Sequence, residues 1–403
     1  MLFGSKKVVT ERAAVENLMS RAVEEVFVRE SLEKKLLSGE KLRIKFGIDP
    51  TSPKIHLGRA VPLRKLRDFQ NLGHTVVFIV GDFTAQIGDP SDKIDKRPML
   101  TREDIKNNLK GYLDQAGKII DLSATEVHYN AKWLDKLGFQ EISELAESFS
   151  VQQMSARRNF SERFEKGVEI SLREFLYPLM QGYDSVAIKA DVEIGGTDQL
   201  FNLKAGRIIQ KHYKMREQDV VTVQMLEGTD GRKMSSSWGN VIALTDEPAD
   251  MYGKLMAVRD DLVPKYFLLC SDVPESEIEK IKAGLSDGSL HPKDAKMRLA
   301  REIVTLYHGA SAADSAENAF VNTFSKGEVP TDTQEIKAAA TDKLADVLVN
   351  AKIISSKSDW RRLVDEGAIT LMEKDEKVTD PHALAESGTF KIGKRRFVKI
   401  SIN

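Results

Sequence analysis

The sequence predicts an α/β chain: a parallel-sheet domain with a helical insertion, then a helical region, then a small α+β unit. Three observations carry this. A β–α–β pattern runs from residue 42 to 83, punctuated by glycine and proline where a doubly wound sheet needs turns. Residues 246 to about 324 carry only helical patterns. A polar stretch, "SKGEVPTDTQEIKAAATDK", precedes a short segment with its own apolar periodicity.

In chain order, residues 13 to 38 read as helices ending at Gly39. "LRIKFGI" (42–48) is strand-like and is stopped by Pro50 and Pro53. A helix follows from about Gly58 to Leu72, with Pro62 expected in its first turn, where a missing N–H costs little. Leu63, Leu66 and Phe69 line up roughly along one side of it, and Gly73 ends it. "TVVFIVGDF" (75–83) is the nearly continuous apolar run of a buried parallel strand. Residues 102 to 182 are mostly helical patterns. "DVEIGGTDQ" (191–199) returns to strand and loop, a helix runs through "LFNLKAGRIIQKHY", and "VVTVQML" (220–226) reads as another strand. Leu299, Ile303 and Leu306 give the helical region an apolar face. In the last unit Leu344, Val347, Leu348 and Ala351 sit at i, i+3, i+4 and i+7. Ser356 with Asp359 suggests a capped helix start and Gly367 a helix end, and "AITLM" and "FKIGKRRFVKI" are strand-like.

Composition narrows the function. The chain has 403 residues, long enough for two or three cores, and is 41% hydrophobic and 30% charged. Sixty basic and 61 acidic residues leave the net charge at −1, so a nucleic-acid partner would have to be held by a local basic patch. The one cysteine, Cys270, lies in "KYFLLC", reads as a buried thiol and excludes a disulfide within the chain or a Cys-rich zinc site. No segment reaches the ~18 consecutive apolar residues of a membrane span, and the start lacks a signal-peptide h-region. A cytoplasmic protein is expected. Phosphate loops of the G-x-x-x-x-G-K-[ST] and first-turn G-x-G-x-x-G kinds are missing, and no metal-ligand spacing occurs among the seven histidines.

Three stretches carry chemistry. "FGIDPTSPKIHLGRAVPL" (46–63) places His56, Gly58 and Arg59 at a strand-to-helix turn. Free N–H groups and the helix dipole there favour an anion, most often a phosphate. On these residues alone, a glycine turn with two exposed polar side chains explains the stretch as well. "GRKMSSS" (231–237) puts Lys233 and three serines in a glycine-flanked loop able to close on a polyphosphate; a plain surface loop is the alternative. "YPLMQGYDS" places Tyr177, Gln181 and Asp184 at i, i+4 and i+7, on one helix face.

Together these stretches resemble the HIGH and KMSKS signatures of class I aminoacyl-tRNA synthetases, on a Rossmann fold interrupted by a helical insertion. The Y-x-x-x-Q-x-x-D spacing, "GGTDQ" (195–199) and "GDPSDK" (88–93) resemble the tyrosyl-tRNA synthetases, closest to the bacterial type. "LADVLVNAKIISSKSDWRRLV" looks like an S4-type RNA-binding domain. The resemblance runs from about residue 13 to the end. It implies a Rossmann-like catalytic domain over 1–228 with its insertion at about 102–182. It further implies a signature loop and helical anticodon-binding domain over 229–324, a linker over 325–342 and an S4-like domain over 343–403.

The activity implied is activation of L-tyrosine by ATP, with Mg²⁺, to tyrosyl-adenylate and pyrophosphate, then transfer of tyrosine to the 3′ end of tRNA(Tyr). A homodimer is implied too. By match, His56, Arg59 and Lys233 are catalytic. ATP would be held by Asp49, His56, Gly58, Arg59, Gly195, Asp198, Lys233 and Ser236, with Asp198 on the ribose. Asp89, Tyr177 and Gln181 would hold the tyrosine amino group, Asp184 the phenol, and Gln199 would sit near the carboxylate. Lys357, Arg361, Arg362, Lys394, Arg395 and Arg396 would contact tRNA, together with Lys391. No protein-held metal is expected.

Three departures matter. Arg59 replaces the second HIGH histidine, Ser236 the second KMSKS lysine, and Lys45 stands where many relatives supply a tyrosine as second partner for the phenol. The rivals are a tryptophanyl-tRNA synthetase and a catalytically weak RNA-binding paralogue. The carboxylate at Asp184 and the S4-like tail argue against the first, while Arg59 and Ser236 are the features that would support the second.

Overall fold

The computed structural model describes residues 7–91, 100–235, 238–325, 333–374, 376–393 and 396–402. The chain forms two compact units, Met1–Ala313 and Asp314–Asn403.

The first unit is built on a six-stranded sheet. Its strands are β1 (Val23–Phe27), β2 (Arg43–Ile48), β3 (Thr75–Val80), β4 (Thr125–Tyr129), β5 (Val192–Gly196) and β6 (Asp219–Val223), in the order β1-β6-β5-β2-β3-β4. β2 to β6 are parallel, and β1 closes one edge antiparallel to β6. The chain winds outward from β2 through β3 to β4, then returns to place β5 on the other side of β2. This is the Rossmann-like order, and its reversal leaves a crevice beyond the strand ends. Val76 to Val80 are all fully buried, as a strand covered on both faces requires.

The helix Leu57–Asn71 buries Leu63, Leu66 and Phe69 against the sheet, as their spacing predicts. It begins at Leu57, so Pro62 falls in the second turn, and the carbonyl of Gly58 goes without the bond a residue-62 amide would make. The insertion holds the helices Arg102–Leu109 and Phe139–Ala146 among others, and leads into the long helix Leu172–Ala187. Beyond the sheet, the helices Pro248–Met256, Val263–Cys270, Glu275–Asp287 and Pro292–His308 realise the all-helical expectation. Cys270 is buried, and burial pushes its thiol up to about 12, leaving it inert.

Two strands correct the sequence reading. Residues 13 to 38 are not all helix, because Ala22 turns at φ +59° and β1 follows. Its local pattern is overridden by edge pairing, with Val26 opposite Val221. The insertion likewise is not purely helical, because β4 extends the sheet beside β3 in five-residue register.

In the second unit, β7 (Gln334–Ala338), β8 (Ile369–Leu371), β9 (Glu376–Lys377), β10 (Gly388–Ile392) and β11 (Arg396–Ile402) form a sheet ordered β7-β11-β10-β8-β9. The stretch read as a linker thus contains a strand, β7, which pairs in parallel with β11. Leu344, Leu348, Trp360 and Phe390 make a core of the unit's own. Asp359 N–H donates to Ser356 Oγ at 3.1 Å, so Ser356 caps its helix, and Gly367 ends it at φ +60°.

Small residues set how the tyrosine-motif helix sits. Leu172–Ala187 packs on Leu200–His212 through Gly182, Ala205 and Gly206. A Cβ at 206 would lie 2.2 Å from Gln218 Nε2 and 2.8 Å from Ser185 Oγ. Gly206→Ala is therefore expected to destabilise the protein by about 1–3 kcal/mol through overpacking; urea unfolding of the two proteins checks this.

Candidate active site

The crevice collects its side chains from strand ends. Asp49 follows β2 and accepts from Tyr177 Oη at 2.9 Å and from Thr84 Oγ1 at 2.7 Å. Gly81, just past β3, makes the approach possible: a Cβ there would sit 2.0 Å from Asp49 Oδ1. Burial and the carboxylates Asp49 and Asp89 push the Tyr177 phenol well above its ordinary value, so it stays a neutral donor.

Asp89 is the hub of the second cluster. It accepts from Gln199 Nε2 at 2.6 Å, from Asn202 Nδ2 at 3.2 Å, and from Ser91 through N–H at 2.9 Å and Oγ at 2.7 Å. Arg157 braces this group, donating to Ser91 Oγ at 2.8 Å and Asn202 Oδ1 at 3.1 Å. Its guanidinium lies over the rings of Phe160 and Phe201, and burial lowers its pKa. Sequence reasoning missed Arg157 and Asn202. Arg157 sits in "SARRNF", where nothing marks one arginine as interior.

Asp184 is buried and holds two donors, Trp133 Nε1 at 2.7 Å and Asn130 Nδ2 at 3.2 Å. Burial pushes its carboxyl up to about 6, against the pull of Lys45 and of these two hydrogen bonds. Trp133 and Asn130 follow β4, the strand that the helical reading of the insertion concealed, and that is why they went unseen. Gln181, expected on the substrate amino group, directs its amide to Glu193 Oε1 at 3.1 Å. Behind Trp133 lies a separate cavity of about 600 Å³, lined in part by Arg43, His128 and Lys132.

At the other end of the crevice, His56 is the N-cap residue of the Leu57–Asn71 helix. Its carbonyl accepts from the amides of Arg59 at 2.9 Å and Ala60 at 3.0 Å. Its ring Nδ1 is buried with no hydrogen-bond partner among the described residues. Burial, then the charges of Arg59 and Lys233, lower its pKa to about 3, so the ring is neutral at physiological pH. Gly58 N–H points at Met234 Sδ, 3.4 Å away, and a Cβ on Gly58 would press within 3.2 Å of the His56 ring. The signature loop therefore rests directly on the helix entrance. Bridges between His56 and Ala243 and between Glu227 and Lys233 fix it there. Lys233 Nζ is 3.3 Å from Asp198 Oδ2. Arg59 Nη2 donates to Thr51 Oγ1 at 2.9 Å, while Nη1 is buried without a hydrogen-bond partner among the described residues. Gly195 is buried at the end of β5, where a Cβ would meet Leu203 at 3.0 Å. Ser236 lies outside the described residues.

A histidine, a glycine and a lysine from distant stretches thus gather at one helix N-terminus, and the carboxylates Asp49, Asp89 and Asp184 gather around Tyr177. The family model for class I tRNA synthetases (W and Y) matches residues 37–325. The chain belongs to that family. A tyrosine–tRNA ligase of Thermotoga maritima is 45% identical over 95% of this chain and 96% of its own length. One of Geobacter sulfurreducens is 43% identical over the full length of both. Among solved structures, a truncated mitochondrial tyrosyl-tRNA synthetase of Aspergillus nidulans superposes with a TM-score of 0.64 at 25% identity, covering 78% of this chain and 95% of that one. Tyrosyl-tRNA synthetase of Archaeoglobus fulgidus, complexed with L-tyrosine, shares the fold with a TM-score of 0.61 at 20% identity, covering 76% of this chain and 99% of that one.

The synthetase family model ends at residue 325, before the sheet of the second unit, whose basic residues behave less uniformly than their sequence suggests. Lys357 pairs with Asp346 at 2.6 Å, and Arg362 with Asp359 at 2.7 Å and Glu366 at 2.9 Å. Arg361 is exposed, Arg396 donates to the Ile353 carbonyl, and Lys391 lies over the Phe397 ring. Lys394 and Arg395 lie outside the described residues. No described helix is long and apolar enough to cross a membrane, and no described group of three or more His, Cys, Asp or Glu could hold a metal.

The neutral His56 ring has a measurable consequence. The unfolded ring takes a proton below about pH 6.5 while the folded ring does not until about pH 3. Its contribution to stability is therefore complete above pH 6.5 and is lost as pH falls toward 3. His56→Gln is expected to flatten this acid limb in denaturant titrations. In NMR the ring should remain neutral at pH 5; titration near 6.5 contradicts the buried assignment.

Proposed function

We infer that the chain is a tyrosine–tRNA ligase. It activates L-tyrosine with ATP, releasing pyrophosphate, and passes the tyrosyl group to the 3′ end of tRNA(Tyr). The observation that carries the choice of amino acid is Asp184, a buried carboxylate oriented by two neutral donors. Its oxygens keep lone pairs for one further donor, the phenol hydroxyl. Phenylalanine would leave that carboxylate buried and short of a partner, which penalises it. Close relatives carrying the same activity in their names support this reading over a tryptophan ligase or an inactive paralogue.

The adenylation chemistry asks little of acids and bases. The tyrosine carboxylate is already ionised and attacks the α-phosphorus in line, expelling pyrophosphate. The protein's task is positioning and the stabilisation of charge that moves onto the leaving group. His56, kept neutral, serves as a fixed dipole at the helix entrance. Gly58 offers its backbone close to the adenine. Lys233 and Arg59 supply cations; Lys233 exchanges Asp198 for the β- and γ-phosphates, which frees Asp198 and Gly195 for the ribose side. Magnesium travels with ATP as part of the substrate. Asp49, Tyr177, Asp89 and Gln199 receive the amino acid's ammonium and carboxylate, with Gln181 lining the same wall.

The second unit, S4-like in sequence, we assign to tRNA backbone contact through Arg361, Lys394, Arg395 and Arg396. Lys357 and Arg362 contribute after exchanging their carboxylate partners for phosphate. The insertion exposes Phe139 (88%), Leu172 (83%), Val151 (71%) and Phe164 (57%). Such apolar exposure fits burial against a second copy of the chain, and we assign the homodimer to this surface. The reaction belongs in the cytoplasm with the other steps of protein synthesis.

Pyrophosphate exchange into ATP tests the assignment. Exchange is expected with tyrosine and not with tryptophan or phenylalanine at matched concentration. Asp184→Ala should weaken tyrosine activation by about 3 kcal/mol or more, the loss of a charged hydrogen-bond acceptor. Tyrosine-independent exchange, or an undisturbed Asp184→Ala, contradicts it. Removal of residues 326–403, which include all of β7, should leave exchange nearly intact while aminoacylation collapses and tRNA binding loses salt dependence. Equal loss of both activities would assign the unit a folding role.

A further inference from the structure

Below the tyrosine motif lies a buried ion pair for which adenylation has no evident use. Lys45 on β2 and Glu193 on β5 are ladder partners, exposed by 0% and 1%. Lys45 Nζ is 2.9 Å from Glu193 Oε1 and donates to Ser185 Oγ at 2.8 Å and to the Gln181 carbonyl at 2.7 Å. These three acceptors satisfy all three ammonium donors. Glu193 also accepts from the Gln181 amide at 3.1 Å, from Ser185 Oγ at 3.2 Å and from Gln218 Nε2.

Stability alone gives weak grounds for such a pair, since desolvation often cancels the attraction and an apolar replacement does as well. Placement gives better grounds. Both helix residues that Lys45 holds, Gln181 and Ser185, flank Asp184 in the same turn. We propose that Lys45 is a positioning and specificity-determining residue of the tyrosine pocket, clamping the 181–185 turn and supplying the buried positive charge that balances Asp184 for the phenol. The proposal rests on the tyrosine reading given above.

The groups facing Asp184 can be named. Lys45 acts from β2 and Glu193 from β5, with opposite signs. Tyr177 faces it from its own helix. Trp133 and Asn130 donate from the segment after β4, and the His128 ring lies 6.1 Å from that of Trp133. Burial raises the Asp184 carboxyl to about 6, and Lys45 is the foremost influence holding it from going higher. Without that charge Asp184 would carry a proton in the physiological range and would no longer accept the phenol hydrogen.

Equilibrium dialysis of radiolabelled tyrosine against the full chain, from pH 5 to 8.5, tests this. Tyrosine affinity of the parent should fall as pH drops through about 6. The double variant Lys45→Met/Glu193→Gln removes both charges of the pair together, so neither is orphaned and the effect on Asp184 is separated from the cost of breaking the pair. Its midpoint should move up by about one unit, with binding weakened roughly twofold at pH 7 and roughly tenfold at pH 5. Glu193→Gln alone should move the midpoint down. Opposite shifts are not expected of a pair that merely packs. A double variant with the parent's midpoint overturns the proposal; if that variant does not fold, an unmoved midpoint in Glu193→Gln overturns it instead. A parent that binds no tyrosine at any pH overturns the tyrosine reading and not the role of Lys45 in the fold.

Discussion

The structure depends on how little β2 and β5 touch. β2 pairs with β3 through six residues, Arg43 to Ile48, but with β5 only through Ile44 opposite Val192 and Lys45 opposite Glu193. Beyond that pair the strands part, and the chain's reversal of direction across the sheet falls at this fork. Everything polar in the crevice hangs from the strand ends around it: Asp49 after β2, Gly81 after β3, Gly195 and Asp198 at β5. The ion pair of Lys45 and Glu193 is the last tie before the opening.

Most polar side chains of the crevice are already paired with one another, His56 Nδ1 and Arg59 Nη1 excepted. Tyr177 donates to Asp49, Gln199 to Asp89, Arg59 to Thr51, and Lys233 pairs with Asp198. At the paired groups, substrate binding would exchange one partner for another. This keeps the side chains near working positions and limits the reorganisation needed at the moment of reaction. In the proposed mechanism Lys233 leaves Asp198 for phosphate, which would free Asp198 for another donor. The neutral His56 fits the same economy of charge, since a third cation beside Arg59 and Lys233 would repel both.

Much of this was legible in the sequence because apolar runs and punctuating glycines report the buried parallel strands directly. The helix Leu57–Asn71 and the strands β2, β3, β5 and β6 were readable in that way, while the pairing of the 56–59 and 231–237 stretches came from their resemblance to the class I signatures. What escaped reading depends on tertiary partners. β1 exists because β6 offers an edge, and β4 because β3 does; neither has a local pattern strong enough to declare itself. Missing β4 also hid Asn130 and Trp133, the groups that orient Asp184. Gln181 and Lys45 show a further limit. Nothing in their local sequence shows that the Gln181 amide and the Lys45 ammonium both meet Glu193, a residue on a distant strand. The linker reading failed at β7 for a related reason: a charged edge strand with one buried residue looks like a loop until its partner β11 is seen.

The central claim is that the fork between β2 and β5 is where tyrosine and ATP react. A crystal structure of the full chain with tyrosine and a non-hydrolysable ATP analogue tests it most directly. The account predicts the phenol oxygen within hydrogen-bond distance of Asp184, the adenine against Gly58, and the phosphates between the amides at the Leu57–Asn71 helix entrance and Lys233. Tyrosine bound elsewhere, for example in the cavity behind Trp133, or an adenine remote from Gly58, would contradict it.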